Sequence, residues 1–159
     1  MTAWSLAEAG LPEAEVIAAL MSETVRETWS ARDIARLLVL PGAGARLAID
    51  GRDRQPDPVG FALYRVAADE CELLSIGVVA GHRRRGLGRG LLAGVLAHAV
   101  AAGADRMYLE VAEDNAPAVA FYLAQGFVRV GQRPDYYVGA DGLRRDALVL
   151  ARTGLAGGE

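Results

Sequence analysis

Residues 81–90 read GHRRRGLGRG, four arginines and four glycines in ten positions. An apolar run precedes them, ECELLSIGVV at residues 70–79. After them Leu87, Leu91, Leu92, Val95, Leu96, Ala99 and Val100 recur at helical spacing. A period of two that gives way to a period of 3.6 across a bare, basic turn reads as strand, loop, helix. At such a helix start the first backbone N–H groups have no intrahelical acceptor, and the helix dipole adds positive potential. That combination binds phosphate. Glycine lets the anion reach the backbone, and arginines at the rim add charge-assisted bonds.

Two other phosphate motifs fit the stretch less well. A nucleotide P-loop needs lysine and a hydroxyl after its last glycine. Gly81 and Gly86 have the right separation, but Leu87 and Gly88 follow. A dinucleotide fingerprint matches Gly88, Gly90 and Ala93, with Glu110 twenty residues past Gly90. Its first glycine should close the strand directly, whereas the strand here ends by Val79 and AGHRRR intervenes. The chain is also short for two mononucleotide halves and a substrate domain.

Working outward, residues 12–22 (PEAEVIAALMS) predict a helix with Pro12 in its first turn. WSARDIARLLVLPG predicts a second, capped by Ser30 and stopped at Pro41-Gly42. ARLAID, VGFALYRVA and ECELLSIGVV predict three strands, with GRDRQPDP an exposed hairpin turn and Ala68-Asp69 a tight one. The long helix from Gly86 to Ala102 ends at Gly103. DRMYLEVAE predicts a strand with Met107, Leu109 and Val111 on one face and Tyr108 and Glu110 on the other. NAPAVAFYLAQG predicts a helix capped by Asn115 and ended at Gly126. FVRVGQR and RRDALVLAR predict two closing strands around a tyrosine-rich loop, PDYYVGADG. AWSLA is a weak extra strand at the start. Strands flanked by helices give an α/β or α+β sandwich.

The 159 residues suit a single domain over 1–159, and residues 152–159 read as a flexible tail. Net charge is −3, which gives no reason to expect direct nucleic-acid binding. All 17 basic residues are arginine, in keeping with a genome rich in G and C codons. The one cysteine, Cys71, excludes an internal disulfide and fits a reducing compartment. Acidic neighbours raise its thiol pKa, so it reads as structural. No apolar run is long enough for a membrane helix and no signal peptide is visible, so a cytoplasmic location is expected. His82 and His98 have no partner spacing that suggests a metal.

RRRGLG, residues 83–88, carries the Q/R-x-x-G-x-G/A signature of the GNAT superfamily of N-acetyltransferases, with Arg83 at its first position. The resemblance covers nearly the whole chain, through LLSIGVV, the following helix and MYLEVAEDNAPAVAFYLAQGF (residues 107–127). Within the superfamily the chain is most similar to the bacterial ribosomal-protein-alanine N-acetyltransferases, the RimI family. Trp29-Ser30, RPDYY, the DG that follows and DALVL share in that likeness. The chain departs from it at Val138, where proline is usual, and in DGLRRDAL, which is one residue longer. The resemblance implies a central mixed, mostly antiparallel sheet of six to seven strands flanked by about four helices. It also implies acetyl-CoA as co-substrate, with no metal.

The resemblance implies the site as well. The pyrophosphate would rest on Arg83, Arg84, Arg85, Gly86, Leu87, Gly88 and Arg89. The pantetheine arm is amide-rich and can pair with a strand edge. Gly77, inside an apolar strand, suggests a bulge or the close approach of another backbone. By resemblance, the backbones of Ile76 and Val78 bind the arm and aim an N–H at the thioester oxygen, a donor worth about 3 kcal/mol in related chemistry. Glu110 takes the base role and Tyr122 protonates the leaving thiolate. Asn115 caps its helix and contacts the cofactor. Tyr136 and Tyr137 frame the incoming amine.

The expected reaction is acetyl transfer from acetyl-CoA to the α-amine of a protein N-terminus, alanine of a small-subunit ribosomal protein. Transfer to a small-molecule amine or a lysine side chain uses the same scaffold. A non-catalytic acyl-CoA-binding module is a third reading, against which Glu110 and Tyr122 together argue.

Overall fold

A computed structural model describes residues 4–52, 55–138 and 141–157. Its elements follow the expected order. Strand β1 (Trp4–Ala9) is the weak first strand. After a 3-10 turn at Leu11–Glu13 come helices α1 (Ala14–Thr24) and α2 (Ala31–Leu38). Strands β2 (Ala43–Asp50), β3 (Asp57–Ala67) and β4 (Glu70–Val78) follow, then α3 (Leu87–Ala101), β5 (Arg106–Ala112), α4 (Ala116–Ala124), β6 (Val128–Val138) and β7 (Arg144–Thr153). The local signals hold. Ser30 accepts a bond from Asp33 N, and Asn115 from Ala118 N. Gly103 and Gly126 adopt positive φ just past their helices.

The seven strands form one sheet in the order β1-β2-β3-β4-β5-β7-β6. Both faces are covered. Phe61 and Leu63 of β3 pack with Ile17, Met21 and Ile34 from α1 and α2. Ala62, Tyr64 and Val66 pack on the other face with Leu91, Leu92 and Val95 of α3. A strand buried on both sides needs a continuous run without charge, and VGFALY, residues 59–64, supplies it up to Arg65.

Every strand pair is antiparallel except β4 with β5, and there the ladder covers only Glu70–Glu72 against Arg106–Tyr108. Beyond it the two strands diverge. The rest of β4 pairs only with β3, and Glu110, Val111 and Ala112 of β5 pair only with β7. A register shift opposite Leu63 and Tyr64 leaves Leu74 without a partner on β3. An extra residue of this kind bends a strand and increases its twist. The result is a wedge-shaped gap in the middle of the sheet.

Two expectations change. Tyr136 and Tyr137 lie in β6 and not in a loop. The strand runs on to Val138 because pairing with β7 resumes at Tyr137–Arg145 after an irregular stretch. The turn at residues 51–58 is described only outside positions 53–54, and residues 139–140 of the second turn lie outside the described residues. The tail does not begin at 152. Arg152 and Thr153 belong to β7, and Leu155 packs on the core with its N–H bonded to Asp105 O at 2.9 Å. Residues 158–159 lie outside the described residues.

Candidate active site

The bend in β4 creates the site. Val79 N donates to Val59 O, so backbone alternation turns Ile76 and Val78 away from β3 and toward the gap. One of these groups is taken, because Arg83 Nε donates to Val78 O at 3.0 Å. Gly77 between them is not at the bulge. A Cβ there would stand 2.3 Å from Thr24 Oγ1 and 2.8 Å from Phe61 Cε1. The close neighbour is thus the last turn of α1, not another backbone.

At the start of α3 the first helical bond runs from Gly90 N to Gly86 O, which leaves the N–H groups of Leu87, Gly88 and Arg89 without intrahelical acceptors. Arg84 and Gly86 adopt left-handed φ values of 63° and 84°. Alternation of this kind turns successive N–H groups toward one concavity. A Cβ on Gly86 would meet nothing within 4 Å, and one on Gly88 nothing nearer than Phe121 at 3.7 Å. Packing of the chain itself therefore demands neither side-chain-free position, and open space lies above them. Gly90 differs: its Cβ would stand 2.5 Å from Trp4, so close helix packing accounts for it. The Leu87 side chain is buried in the core.

The arginines divide. Arg84 and Arg89 are exposed at the helix start. Arg83 is turned back onto β4. Arg85 is turned inward, with Nη1 3.6 Å from Asp50 Oδ2. Asp50 was not visible as a site residue in the sequence. It is the buried charged residue of the described chain, at 8% exposure. It accepts from the Arg52 guanidinium at 2.7–3.1 Å, from Arg52 N at 3.1 Å and from His82 Nε2 at 3.0 Å. These bonds, the Arg52 side chain first, hold its carboxyl far below the usual aspartate range.

Glu110 and Tyr122 sit on opposite faces of the sheet. Met107, Leu109 and Val111 join the core cluster that contains Tyr122. Glu110 points the other way, as expected, with Tyr108, whose hydroxyl donates to Glu72 at 3.2 Å. The gap between β4 and β5 connects the two faces. Tyr122 is 7% exposed, edge-on to Phe121 and Phe127. Burial, then the nearby Tyr137, raises its hydroxyl pKa well above the ordinary tyrosine value. Tyr137 is itself pushed up to about 12 by burial, then by Glu27, Tyr136 and Glu110. Tyr136 and Tyr137 are in edge contact, with ring centroids 4.8 Å apart.

Sequence reasoning missed the partner of Glu110. Arg133 Nη1 donates to Glu110 Oε1 at 2.8 Å, and its guanidinium lies 4.2 Å from the Tyr136 ring centroid. Arg133 opens the RPDYY segment, but only the β5-β7-β6 strand order brings it to Glu110. Asn115 is occupied as a helix cap. Among the described residues no group of three His, Cys, Asp or Glu could hold a metal ion, and no helix is long and apolar enough to cross a membrane.

Residues 15–127 match the model of the acetyltransferase (GNAT) family. The chain belongs to this family. As a GNAT protein it is 38% identical over 91 residues to the ribosomal protein bS18-alanine N-acetyltransferase of Escherichia coli, which aligns 57% of this chain with 61% of that protein. It is 43% identical over 97 residues to the N-alpha-acetyltransferase RimI of Mycobacterium tuberculosis, across 56% of this chain and 60% of that one. The match thus spans about three-fifths of these curated relatives. The fold superposes on the crystal structure of the ribosomal-protein-S18-alanine N-acetyltransferase from Escherichia coli with a TM-score of 0.85 at 25% identity, covering 95% of this chain and 94% of that one. The GNAT fold accounts for the split sheet, the α3 start and the seven-strand order together.

Proposed function

We propose that the protein transfers the acetyl group of acetyl-CoA to the α-amine of a protein N-terminus, with alanine of a small-subunit ribosomal protein as the acceptor its relatives point to. The observation that carries this reading is the gap between β4 and β5, with Glu110 on one face and Tyr122 on the other. It allows two substrates to meet from opposite sides of one sheet.

The residues present fit acetyl-CoA. The open concavity at the start of α3, with Arg84 and Arg89 beside it, suits a pyrophosphate. The strand edge at Ile76 and Val78 suits an amide-rich arm. In this reading Arg83 and Arg85 shape the loop, as their contacts to Val78 O and Asp50 favour, and Asn115 acts mainly as a cap.

The amine nitrogen attacks the thioester carbonyl carbon. A C–N bond forms, the C–S bond breaks, the ammonium proton passes to Glu110 and the departing thiolate takes the Tyr122 proton. An N–H from the β4 edge stabilises the oxyanion. Acceptor choice follows from proton cost. A chain N-terminus of pKa ~7.7–8.0 loses its proton at neutral pH for under about 1.4 kcal/mol, whereas a lysine at ~10.4 costs nearly 5 kcal/mol. A carboxylate near an arginine suits the first task better than the second. Tyr136 and Tyr137 flank the entering residue and leave room for a small side chain.

Purified protein and acetyl-CoA should be incubated with peptides starting Ala, Ser, Met or Gly, an N-terminally blocked lysine peptide, and spermidine. Transfer to peptides with small first residues is expected. Transfer confined to lysine or spermidine would refute the N-terminal reading. Failure to bind coenzyme A would refute the acetyl-CoA assignment.

A further inference from the structure

The partner of Glu110 has an unusual placement for a structural ion pair. Arg133 is the last paired residue of β6 before the irregular stretch, where the register passes from Arg133–Ala147 to Tyr137–Arg145. Three residues therefore stand against one. Asp135 takes a left-handed φ of 53°, and its N–H is held by Asp146 Oδ1 at 2.9 Å. This bulge brings the Tyr136 ring beneath the Arg133 guanidinium at 4.2 Å, while Nη1 reaches Glu110 Oε1 at 2.8 Å. One carboxylate and one aromatic face thus frame a cation position. They are also the two features by which a protein recognises an ammonium group.

The cation in that position is removable. The Arg133 side chain is 54% exposed while that of Glu110 is 19% exposed, so the arginine lies on the water side of the pair. A half-exposed ion pair contributes little net stability, and an arginine stem is long enough to swing clear. Further carboxylates keep the surroundings negative. The charges of Glu27 and Glu72 act on Tyr136 together with that of Glu110.

We propose that Arg133 is a placeholder for the acceptor ammonium. It fills the cation position beside Glu110 in the free protein and yields it to the incoming chain N-terminus, which releases the Glu110 carboxylate at the moment an amine arrives. This inference rests on the proposed acceptor being an N-terminal amine. It makes Arg133 a specificity-determining residue that competes with substrate. A brace for Glu110 would have the opposite effect on affinity.

The test is a thermodynamic cycle on the intact protein saturated with coenzyme A. The binding of an alanine-starting peptide is measured by calorimetry for wild type, Arg133→Met, Glu110→Gln and the double variant. Arg133→Met is expected to tighten peptide binding about five- to tenfold, the worth of an exposed ion pair plus a cation–π contact. Its KM for acetyl-CoA should match wild type. Methylguanidinium should compete with peptide more strongly in Arg133→Met than in wild type. In the Glu110→Gln background the Arg133 substitution should change peptide affinity little. Unchanged or weaker peptide binding in a folded Arg133→Met, with Arg133→Gln in agreement, would overturn the placeholder role while leaving the functional reading intact. If wild type neither binds nor acetylates any peptide N-terminus, the functional reading fails and this inference goes with it.

Discussion

Asp50 Oδ2 lies 3.0 Å from His82 Nε2, and this contact ties the end of β2 to the loop that enters α3. Arg85 Nη1 reaches the same oxygen at 3.6 Å. A single carboxylate, 32 residues before the histidine, thus anchors the loop whose backbone faces the proposed pyrophosphate.

Replacing Asp50 with Asn should raise the KM for acetyl-CoA with little change in kcat, because the loop would lose its anchor while Glu110 and Tyr122 stay in place. Stability should follow pH in a defined direction. The folded-state pKa of Asp50 is depressed, so its contribution is whole above the ordinary aspartate value of about 3.9 and is lost as pH falls below it. The gap in thermal midpoint between wild type and Asp50→Asn should be full at pH 7 and smaller at pH 3, closing only as pH falls toward the depressed folded-state value. An equal gap at both pH values would contradict the assignment.

Gly77→Ala should destabilise the fold by about 1–3 kcal/mol, the usual cost of an overpacked site. The new Cβ would stand 2.8 Å from Thr24 Cβ as well as 2.3 Å from Oγ1, so a rotamer change at Thr24 cannot relieve it fully. Thr24→Gly in the same chain should recover part of the loss. Urea midpoints of the four proteins read the coupling directly; additive effects would mean that the two residues do not meet.

Tyr122→Phe should lower kcat by about 100-fold or more while the KM for acetyl-CoA and the melting temperature stay near wild type. The hydroxyl sits in a buried aromatic cluster, and burial raises its pKa, so it is protonated when the thioester arrives. Glu110→Gln should likewise reduce kcat, with the greater loss at lower pH, where more of the acceptor is ammonium. Parallel losses in kcat and coenzyme A affinity would assign these side chains to cofactor binding.

Cys71 should resist thiol reagents in the native protein. It is fully buried, and burial followed by the charge of Glu72 pushes its thiol up to about 12. Disulfide-exchange labelling should proceed only in denaturant. Labelling of the native protein at the denatured rate would show that the core around Met107 and Cys71 opens readily.

Much of the fold was legible because its signals are local. Ser30 and Asn115 cap helices they adjoin, Gly103 and Gly126 end helices they follow, and the apolar runs of β3 and β4 mark strands by their own content. The likeness to the GNAT family runs along nearly the whole chain, and two continuous segments in it, residues 83–88 and 107–127, hold the phosphate loop, Glu110 and Tyr122. The irregular end of β6 was not legible. Pro134 and Asp135 look like turn residues, and only pairing with β7 returns Tyr136 and Tyr137 to a strand. Gly77 signalled a close approach, but its partner Thr24 lies 53 positions earlier and carries no local mark.

By itself the sequence determined the elements, their order and the chemical types at the site, because capping, periodicity and turn geometry depend on neighbours within a few residues. The tertiary structure decided what those groups touch. It split β4 from β5, set Glu110 and Tyr122 on opposite faces of the gap, turned Arg85 inward to Asp50 and gave Arg133 to Glu110. These contacts join positions far apart in the chain. Strand order and the bend in β4 bring them together, and both arise from packing two cores against one sheet.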